Sequence, residues 1–269
     1  MRLKLTLQTQ PNSVLAYEHH HALRAVIYKV FQQADPVFSA WLHEQGYERT
    51  GKKFKLFTFG LLTGKPYRPI KIKERNCILF PTGIVEWEIS FCVDTQIEKF
   101  VEGLFKNQKL EVAAAGTKVV FQVQSVQIME KPQFRETMRF RAQTGICLTE
   151  KTENDRYPQF RHPDDATFKH LFFNNLQDKV RTVLKQDALV PLCAGMQDDE
   201  PYLDLIIGSE PKKWSTIVPS EDRNGRDIKT IGYRFDFEDT APAEWLRIGF
   251  FAGFGGKCSG GFGFCEVLK

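Results

Sequence analysis

Residues 77–108 read CILFPTGIVEWEISFCVDTQIEKFVEGLFKNQ, and they pass from a strand pattern to a helix pattern. The apolar run over 77–92 predicts a strand that is broken by the turn residues at 81–83. From Asp94, a residue type that caps helices, apolar residues recur along one helical face and predict a helix over 94–108. This strand-to-helix step lies at the centre of a longer alternating pattern.

The flanking segments complete that pattern on both sides. Upstream, the sequence predicts a strand over 2–9, a helix with Leu23, Val26, Ile27, Val30 and Phe31 on one face, a short helix beginning at Asp35-Pro36, and a strand over 54–62. Downstream, it predicts a strand over 110–129 that turns near Gly116. The order β-α-β-β-α-β is that of the ferredoxin-like motif.

The same order appears a second time. Its predicted elements are a strand over 136–148, a helix over 163–185, strands over 202–208 and 229–238, a helix over 241–251 and a strand over 261–268. We therefore expect an α+β protein with two tandem ferredoxin-like (RRM-like) domains, residues 1–131 and 132–269, each with an antiparallel sheet.

Composition is that of an ordinary globular protein, with 42% hydrophobic residues and a net charge of +4 over 269 residues. The first residues lack the apolar core of a signal peptide, and no apolar run is long enough to cross a bilayer, so we expect a cytoplasmic protein without a membrane segment. The cysteines form no C-x-x-C pair, which argues against a zinc site and predicts reduced thiols. They are Cys77, Cys92, Cys147, Cys193, Cys258 and Cys265.

Basic residues gather in two stretches. The first holds Lys52, Lys53, Lys55, Arg68, Lys71 and Lys73, and the second holds Lys212, Lys213, Arg223, Arg226, Lys229 and Arg234. Taken alone, each stretch is compatible with a phosphate-binding surface or with an ordinary solvated face.

Residues 253–263 read GFGGKCSGGFG, and six of these eleven residues are glycine. Glycines let a backbone approach an anion closely, as phosphate-binding loops require. However, a P-loop would need glycine at position 251, which is Phe, and the dinucleotide motif fails at Cys258. Too few residues follow to form the helix that either motif opens. The loop is therefore not an ATP or NAD site, and we expect no cofactor.

The loop matches the pattern G-h-G-x5-G-h-G, in which h is apolar, and so resembles the CRISPR-associated repeat-processing endoribonucleases of the RAMP superfamily. The segments YRFDF (233–237) and WLRIG (245–249) resemble the last strand and helix of that family. The resemblance implies an endoribonuclease whose partner is CRISPR repeat RNA (pre-crRNA). The residues expected to bind this RNA are Gly253, Gly255, Gly256, Lys257, Ser259, Gly261, Gly263, Lys212, Lys213, Lys229 and Arg234, supported by Arg247.

Two side chains lie off the apolar faces of the first two helices. Tyr28 sits roughly 130° from the apolar stripe of its helix, and His43 lies nearly opposite the apolar face of the next helix. We therefore expect neither residue to be needed for packing its own helix. The family resemblance implies a catalytic tyrosine, histidine and lysine in this order, which places those roles on Tyr28, His43 and Lys55. Lys52 and Lys53 are close enough in sequence to replace Lys55.

These residue types suit a reaction in which RNA supplies its own nucleophile, the 2′-OH, and no metal is needed. His43 would act as general acid on the 5′-oxygen or as base, and Tyr28 would position or deprotonate the 2′-OH. Lys55 would neutralise charge on the phosphorane. The products would be a 2′,3′-cyclic phosphate and a 5′-OH.

The histidine triplet and the basic character of the chain allow other interpretations. Consecutive helical residues point in different directions, so His19, His20 and His21 are not expected to bind a metal, although one of them is a candidate for lining the RNA cleft. The first rival is a non-catalytic RNA-binding subunit of a CRISPR effector complex, and the second is a generic RRM protein. The second lacks an RNP1 pattern, for which Phe57 and Phe59 are the nearest candidates. The sequence leaves open association with other effector subunits or as a homodimer.

Overall fold

The structure of the protein is a computed structural model that describes residues 1–49, 51–184, 202–218 and 228–268. The helices of these segments are α1 (His20–Ala34), α2 (Pro36–Glu44), α3 (Asp94–Lys106), α4 (Phe168–Leu184) and α5 (Ala243–Ala252). The strands of the first half are β1 (Arg2–Gln8), β2 (Ser13–Ala16), β3 (Tyr47–Arg49), β4 (Lys52–Phe54), β5 (Phe57–Phe59), β6 (Thr63–Gly64), β7 (Arg68–Ile72), β8 (Arg75–Phe80), β9 (Ile84–Phe91), β10 (Lys109–Ala114) and β11 (Thr117–Ile128). Those of the second half are β12 (Thr137–Ala142), β13 (Thr149–Glu150), β14 (Gln159–Phe160), β15 (Asp204–Ile207), β16 (Lys212–Val218), β17 (Ile228–Arg234), β18 (Asp236–Thr240) and β19 (Cys265–Val267).

The first large sheet has the strand order β10-β11-β1-β9-β5, with β6 also paired to β9. Strands β1, β5, β9 and β11 are the four strands of the predicted motif, and their spatial order, fourth-first-third-second, is that of a ferredoxin-like sheet. Alternate residues of β1, namely Leu3, Leu5 and Leu7, are buried because they face the helices that cover one side of the sheet. The predicted fold of the first unit is therefore confirmed.

The second large sheet has the order β15-β18-β12-β19, which is the same arrangement of four antiparallel strands. Helices α4 and α5 pack against one another over it. Both sheets agree with the predicted pair of ferredoxin-like units. The predicted boundary at residues 131 and 132 lies between the end of β11 and the start of β12, and it stays a prediction.

Several predicted elements are shorter or divided in the structure. The strand predicted over 54–62 is reduced to Phe57–Phe59 because Leu56 has a φ of 53°, which interrupts the extended backbone. The segment before it pairs with β3 as a separate hairpin. The strand predicted over 229–238 divides at Phe235, since β17 pairs with β16 and β18 joins the sheet. Asp94 lies in the first turn of α3, and the capping position is Val93.

The two units are joined by polar groups that reach into the opposite core. The Arg2 guanidinium lies between the rings of Phe250 and Phe264, 3.9 and 4.0 Å from their centroids, and donates to the carbonyl of Cys265 at 2.9 Å. Thr58 on β5 donates its hydroxyl to the carbonyl of Phe262 at 2.8 Å. The N-terminal sheet therefore touches the glycine-rich segment directly.

The cysteines of the described segments, Cys77, Cys92, Cys147, Cys258 and Cys265, are buried free thiols. Cys193 lies outside the described residues. Within the described segments, the helices are all too short or too polar to cross a membrane.

Candidate active site

The turn between α1 and α2 brings Tyr28 and His43 together. The Asp35 carboxylate caps α2 by accepting a hydrogen bond from the Phe38 amide at 3.0 Å, and a proline follows in the first turn as predicted. The chain consequently reverses, and α2 packs back on α1, where Ser39 donates its hydroxyl to the Tyr28 carbonyl at 3.0 Å. The rings of Tyr28 and His43 lie edge to face, with centroids 4.9 Å apart and planes at 83°.

The expectation that Tyr28 is dispensable for packing is wrong. Its side chain is only 9% exposed and belongs to the hydrophobic core, with its ring 5.9 Å from that of Phe57. The angular spacing of residues along α1 identified only the face of this helix that meets the sheet, whereas α2 covers a second face of the same helix. His43, in contrast, is exposed at the end of α2.

Burial also sets the protonation state of the tyrosine. It raises the pKa of Tyr28 to about 12, although the positive charge of Arg24 opposes the rise. In the described part of the chain, no group makes a well-formed hydrogen bond with the Tyr28 hydroxyl, and the Arg24 guanidinium carbon lies 5.7 Å from the ring centroid. The phenol is therefore neutral near pH 7 and has a hydrogen to donate.

Lys55 lies directly against the backbone of His43. Its ammonium donates to the His43 carbonyl at 2.8 Å, and the side chain is half-buried. Burial lowers the pKa of Lys55 to about 8, helped by the charges of Arg24 and Lys53. Gly46 makes room for the lysine stem, because a Cβ at that position would lie 2.9 Å from Lys55 Cδ.

The two alternative lysines are engaged elsewhere. Lys53 donates to the Glu44 carbonyl at 3.2 Å on the exposed end of α2. Lys52 forms an ion pair of 2.5 Å with Asp178 on α4, in the other half of the chain. Of the three lysines that the sequence left open, Lys55 is therefore the one whose ammonium contacts His43.

A cleft of about 560 Å³ lies where the two halves of the chain meet. From the first half it is lined by Arg24, Lys52, Lys53 and Lys55, and from the second by Cys147, Asn174, Gly255, Gly256, Lys257 and Ser259. An adjoining depression of about 640 Å³ holds Tyr28 and His43, with His21 and Lys29 at its wall. The structure thus brings the lysine and the glycine-rich loop into one cavity and the tyrosine and histidine into its neighbour.

Arg24 lines both cavities and joins them, and the sequence reasoning missed it. It precedes Tyr28 by four residues, so the two side chains lie one turn apart on the same face of α1. This four-residue spacing was the sequence signal that could have identified Arg24 as a site residue. The guanidinium supplies a permanent positive charge between the ring pair and the lysine.

The glycine-rich loop closes on itself and is anchored by its two apolar positions. The Phe254 amide donates to the Gly263 carbonyl at 3.0 Å, and the Phe254 ring stacks on Phe172 at 5.7 Å. Phe262 is also buried. Gly261 has a φ of 85°, and a Cβ there would lie 2.6 Å from the Phe59 ring, so only glycine fits.

The predicted RNA-binding residues of this loop therefore separate into two groups. Gly255, Gly256, Lys257 and Ser259 line the cleft. The glycines at 253, 261 and 263 pack within the fold and shape the loop.

The second basic stretch forms an exposed hairpin beside the loop. Lys212, Lys213 and Lys229 are exposed on β16 and β17, and Arg234 is half-buried. Trp214 in the same hairpin fixes it in place, with its ring 4.8 Å from Phe262 and 4.9 Å from His20. Arg223 and Arg226 lie outside the described residues.

Arg247 does not support this surface as expected. Arg247 is buried because nearly every residue of α5 packs into the core. Its guanidinium donates a hydrogen bond to the Glu244 carboxylate at 2.6 Å. Of the histidine triplet, His19 and His20 are buried, and burial lowers the pKa of His19 to about 4. His21 lines the depression that holds Tyr28 and His43.

Two ferredoxin-like units meet at a lysine-rich cleft with the glycine-rich loop on one wall, which is the class of α+β protein that the loop motif predicts. Two family models match the chain: CRISPR-associated protein Cas6, N-terminal, over residues 14–127, and CRISPR associated protein Cas6, C-terminal, over residues 129–267. The chain belongs to the Cas6 family.

Relatives and solved structures agree with this assignment. A CRISPR-associated endoribonuclease Cas6 1 from Methanocaldococcus jannaschii is 26% identical over 98% of this chain and 91% of its own length. A CRISPR-associated endoribonuclease Cas6 from Pyrococcus furiosus is 22% identical over 93% of this chain and 83% of its own length. A solved CRISPR associated protein Cas6 covers 100% of this chain and 99% of its own, with a TM-score of 0.72 at 25% identity. A RAMP protein binding different RNA substrates shares the fold, with a TM-score of 0.75 at 15% identity and full coverage of both chains.

Proposed function

We propose that this protein is a metal-independent endoribonuclease that cleaves CRISPR precursor RNA within its repeats. The observation that carries the proposal is the pairing of the Tyr28 and His43 rings beside Lys55, at the edge of a basic cleft. Two relatives that align with nearly the whole chain are named as CRISPR-associated endoribonucleases, which supports the same activity.

The proposed reaction is a transesterification within the RNA. The 2′-oxygen forms a bond to phosphorus while the bond from phosphorus to the 5′-oxygen breaks. The neutral phenol of Tyr28 orients the 2′-OH, since a pKa of about 12 makes it a poor base. His43 protonates the departing 5′-oxygen while water takes up the 2′ proton, or it accepts the 2′ proton while water protonates the 5′-oxygen. Its imidazole is exposed in the depression beside the Tyr28 ring and can reach the substrate.

Charge on the phosphorane is stabilised by the cations between the two cavities. Lys55 is held against His43 by its hydrogen bond, so its ammonium and the imidazole would approach the same phosphate. Arg24 adds a second cation from α1 and reaches both cavities. All these groups come from one chain.

The repeat RNA would follow the cleft between the two halves. Lys257 and Ser259 would contact its backbone from the glycine-rich loop, with Gly255 and Gly256 allowing close approach. The exposed lysines of the β16–β17 hairpin would hold the flanking nucleotides.

The test is cleavage of labelled repeat RNA in EDTA by the wild type and by His43→Ala. His170→Ala is the matched control, because His170 is also an exposed histidine on a helix but lies outside both cavities. We expect site-specific cutting by the wild type and by His170→Ala, none by His43→Ala, and none when the scissile nucleotide is 2′-deoxy. Tight binding without cutting by the wild type would favour a non-catalytic RNA-binding subunit, and cutting that EDTA abolishes would refute metal independence.

A further inference from the structure

Lys179 is a buried lysine on α4 whose ammonium contacts the glycine-rich loop. Its side chain is only 3% exposed. The ammonium donates to the carbonyl of Gly253, to that of Gly255 at 2.6 Å, and to the thiol sulfur of Cys258 at 3.3 Å. All three acceptors belong to one turn of the loop, 74 to 79 residues further along the chain.

Within the described residues, the charge of this ammonium is not balanced by a carboxylate. In the segments that the structure describes, no carboxylate lies within ion-pair distance of Lys179, and the neighbouring Asp178 pairs with Lys52. Burying a cation is costly unless its hydrogens are all bonded. Here three acceptors match the three N–H groups of the ammonium, so the backbone of the loop stabilises the charge.

The contact also occupies two backbone acceptors of the loop. A carbonyl oxygen carries a partial negative charge and would repel a phosphate, and the Lys179 ammonium offsets that charge on the oxygens of Gly253 and Gly255. Lys257 itself has a φ of 59°, a conformation that non-glycine residues adopt only when their surroundings hold them there.

We infer that Lys179 is a positioning residue that orders the glycine-rich loop from beneath and so prepares it to bind an RNA phosphate. The part of this inference that concerns RNA rests on the proposed function. Lys179 also lines the cleft, so its positive charge adds to the attraction for the RNA backbone.

The experiment compares Lys179→Met, which keeps the stem and loses the ammonium, with Val180→Ala. Val180 is fully buried on the same helix, and its side chain has no hydrogen-bond donor. The control Val180→Ala therefore removes packing but no hydrogen bond to the loop. Hydrogen exchange of the amides over 253–263 is measured without RNA, and the Kd is measured with repeat RNA made uncleavable by a 2′-deoxy scissile nucleotide. Lys179→Gln, which keeps two N–H donors without the charge, serves as the second variant if Lys179→Met does not fold.

We expect the loss of the ammonium to speed exchange in the loop and raise the Kd by about tenfold or more, since a tenfold change corresponds to the loss of about one hydrogen bond to a charged group. The effect on the single-turnover rate at saturating RNA should be smaller, since the proposed proton-transfer groups lie on α1 and α2. Val180→Ala should lower the thermal midpoint without changing loop exchange.

Loop exchange and Kd in Lys179→Met equal to those of Val180→Ala would overturn the inference. Because loop exchange is read without RNA, the ordering role is decided even if the wild type neither binds nor cuts repeat RNA. The failure of the inference and the failure of the proposed function are therefore distinguishable.

Discussion

The ammonium of Lys55 donates a hydrogen bond to the backbone carbonyl of His43, with 2.8 Å between nitrogen and oxygen. This contact links the segment between β4 and β5 to the end of α2, on the two sides of the β3–β4 hairpin. It fixes a cation beside the imidazole without any direct bond between the two side chains. The lysine is therefore free to stabilise charge on a substrate.

Replacing Lys55 should damage cleavage far more than replacing its neighbour Lys52. We expect Lys55→Met to lower the single-turnover rate by roughly 10² to 10³, the range for loss of one group that stabilises transition-state charge. Lys52→Met should change it less than about threefold, because its ammonium pairs with Asp178 and does not contact His43. Equal losses in the two variants would mean that the assignment of the lysine is wrong.

The rate should also depend on the charge state of Lys55. Its pKa of about 8 lies below that of an ordinary lysine, so the ammonium is present at pH 7 and is lost as the pH rises through 8. Single-turnover rates measured from pH 6 to pH 10 in EDTA should therefore fall on the alkaline side near pH 8. Lys55→Arg should retain its charge and lose that fall. A fall of the same midpoint in Lys55→Arg would assign the titration to another group.

Tyr28→Phe should separate catalysis from packing. The ring remains against Phe57 and His43, and the lost hydroxyl is buried without a well-formed bond within the described residues, so unfolding in urea should change by less than about 1 kcal/mol. Cleavage should fall by at least about tenfold because the group that orients the 2′-OH is gone. Tyr28→Ala should in addition cost about 3–5 kcal/mol of stability, the range for emptying a buried aromatic site. Wild-type cleavage by Tyr28→Phe would remove the hydroxyl from the mechanism.

Asp239 predicts a pH-dependent stability. It is 0% exposed on β18, and within the described part of the chain neither carboxyl oxygen has a hydrogen-bond partner. Burial and the charge of Asp204 raise the pKa of Asp239 to about 8. Between pH 4 and pH 8 the folded state therefore keeps a proton on Asp239 that the unfolded state releases, and the contribution of this residue to stability declines as the pH rises, by up to about 1.4 kcal/mol per pH unit.

Asp239→Asn should abolish that decline. Denaturation in urea at pH 7, 8 and 9 should show the variant more stable than the wild type, with a margin that grows up to about pH 8 and then levels off. His19 contributes the opposite slope below about pH 6.5, where the unfolded state binds a proton that the folded state, with a pKa of about 4 for His19, does not. The comparison is therefore made from pH 7 upward. A variant less stable than the wild type at pH 9 would show that Asp239 has a stabilising partner.

The regular part of the fold could be predicted because its signals are local. Period-two alternation in β1 and the apolar face of α1 follow from how a strand or helix meets a single core. The burial of Tyr28 could not be read in the same way, since it depends on α2 folding back over α1. The interruption at Leu56 was likewise hidden, because a left-handed leucine carries no sequence signal. Lys179 is indistinguishable in sequence from a solvated helical lysine, and only the loop 74 residues away reveals its role.

Strand β5 and the glycine-rich loop touch across the two halves of the chain. Thr58 bonds the carbonyl of Phe262, and the Phe59 ring occupies the space that a side chain at Gly261 would need. A change of shape on either side must therefore be matched on the other. In a chimera that joins the first half of this protein to the second half of a distant relative, β5 and the loop would not be complementary in shape. We expect such a chimera to fold only when β5 and the loop are exchanged together.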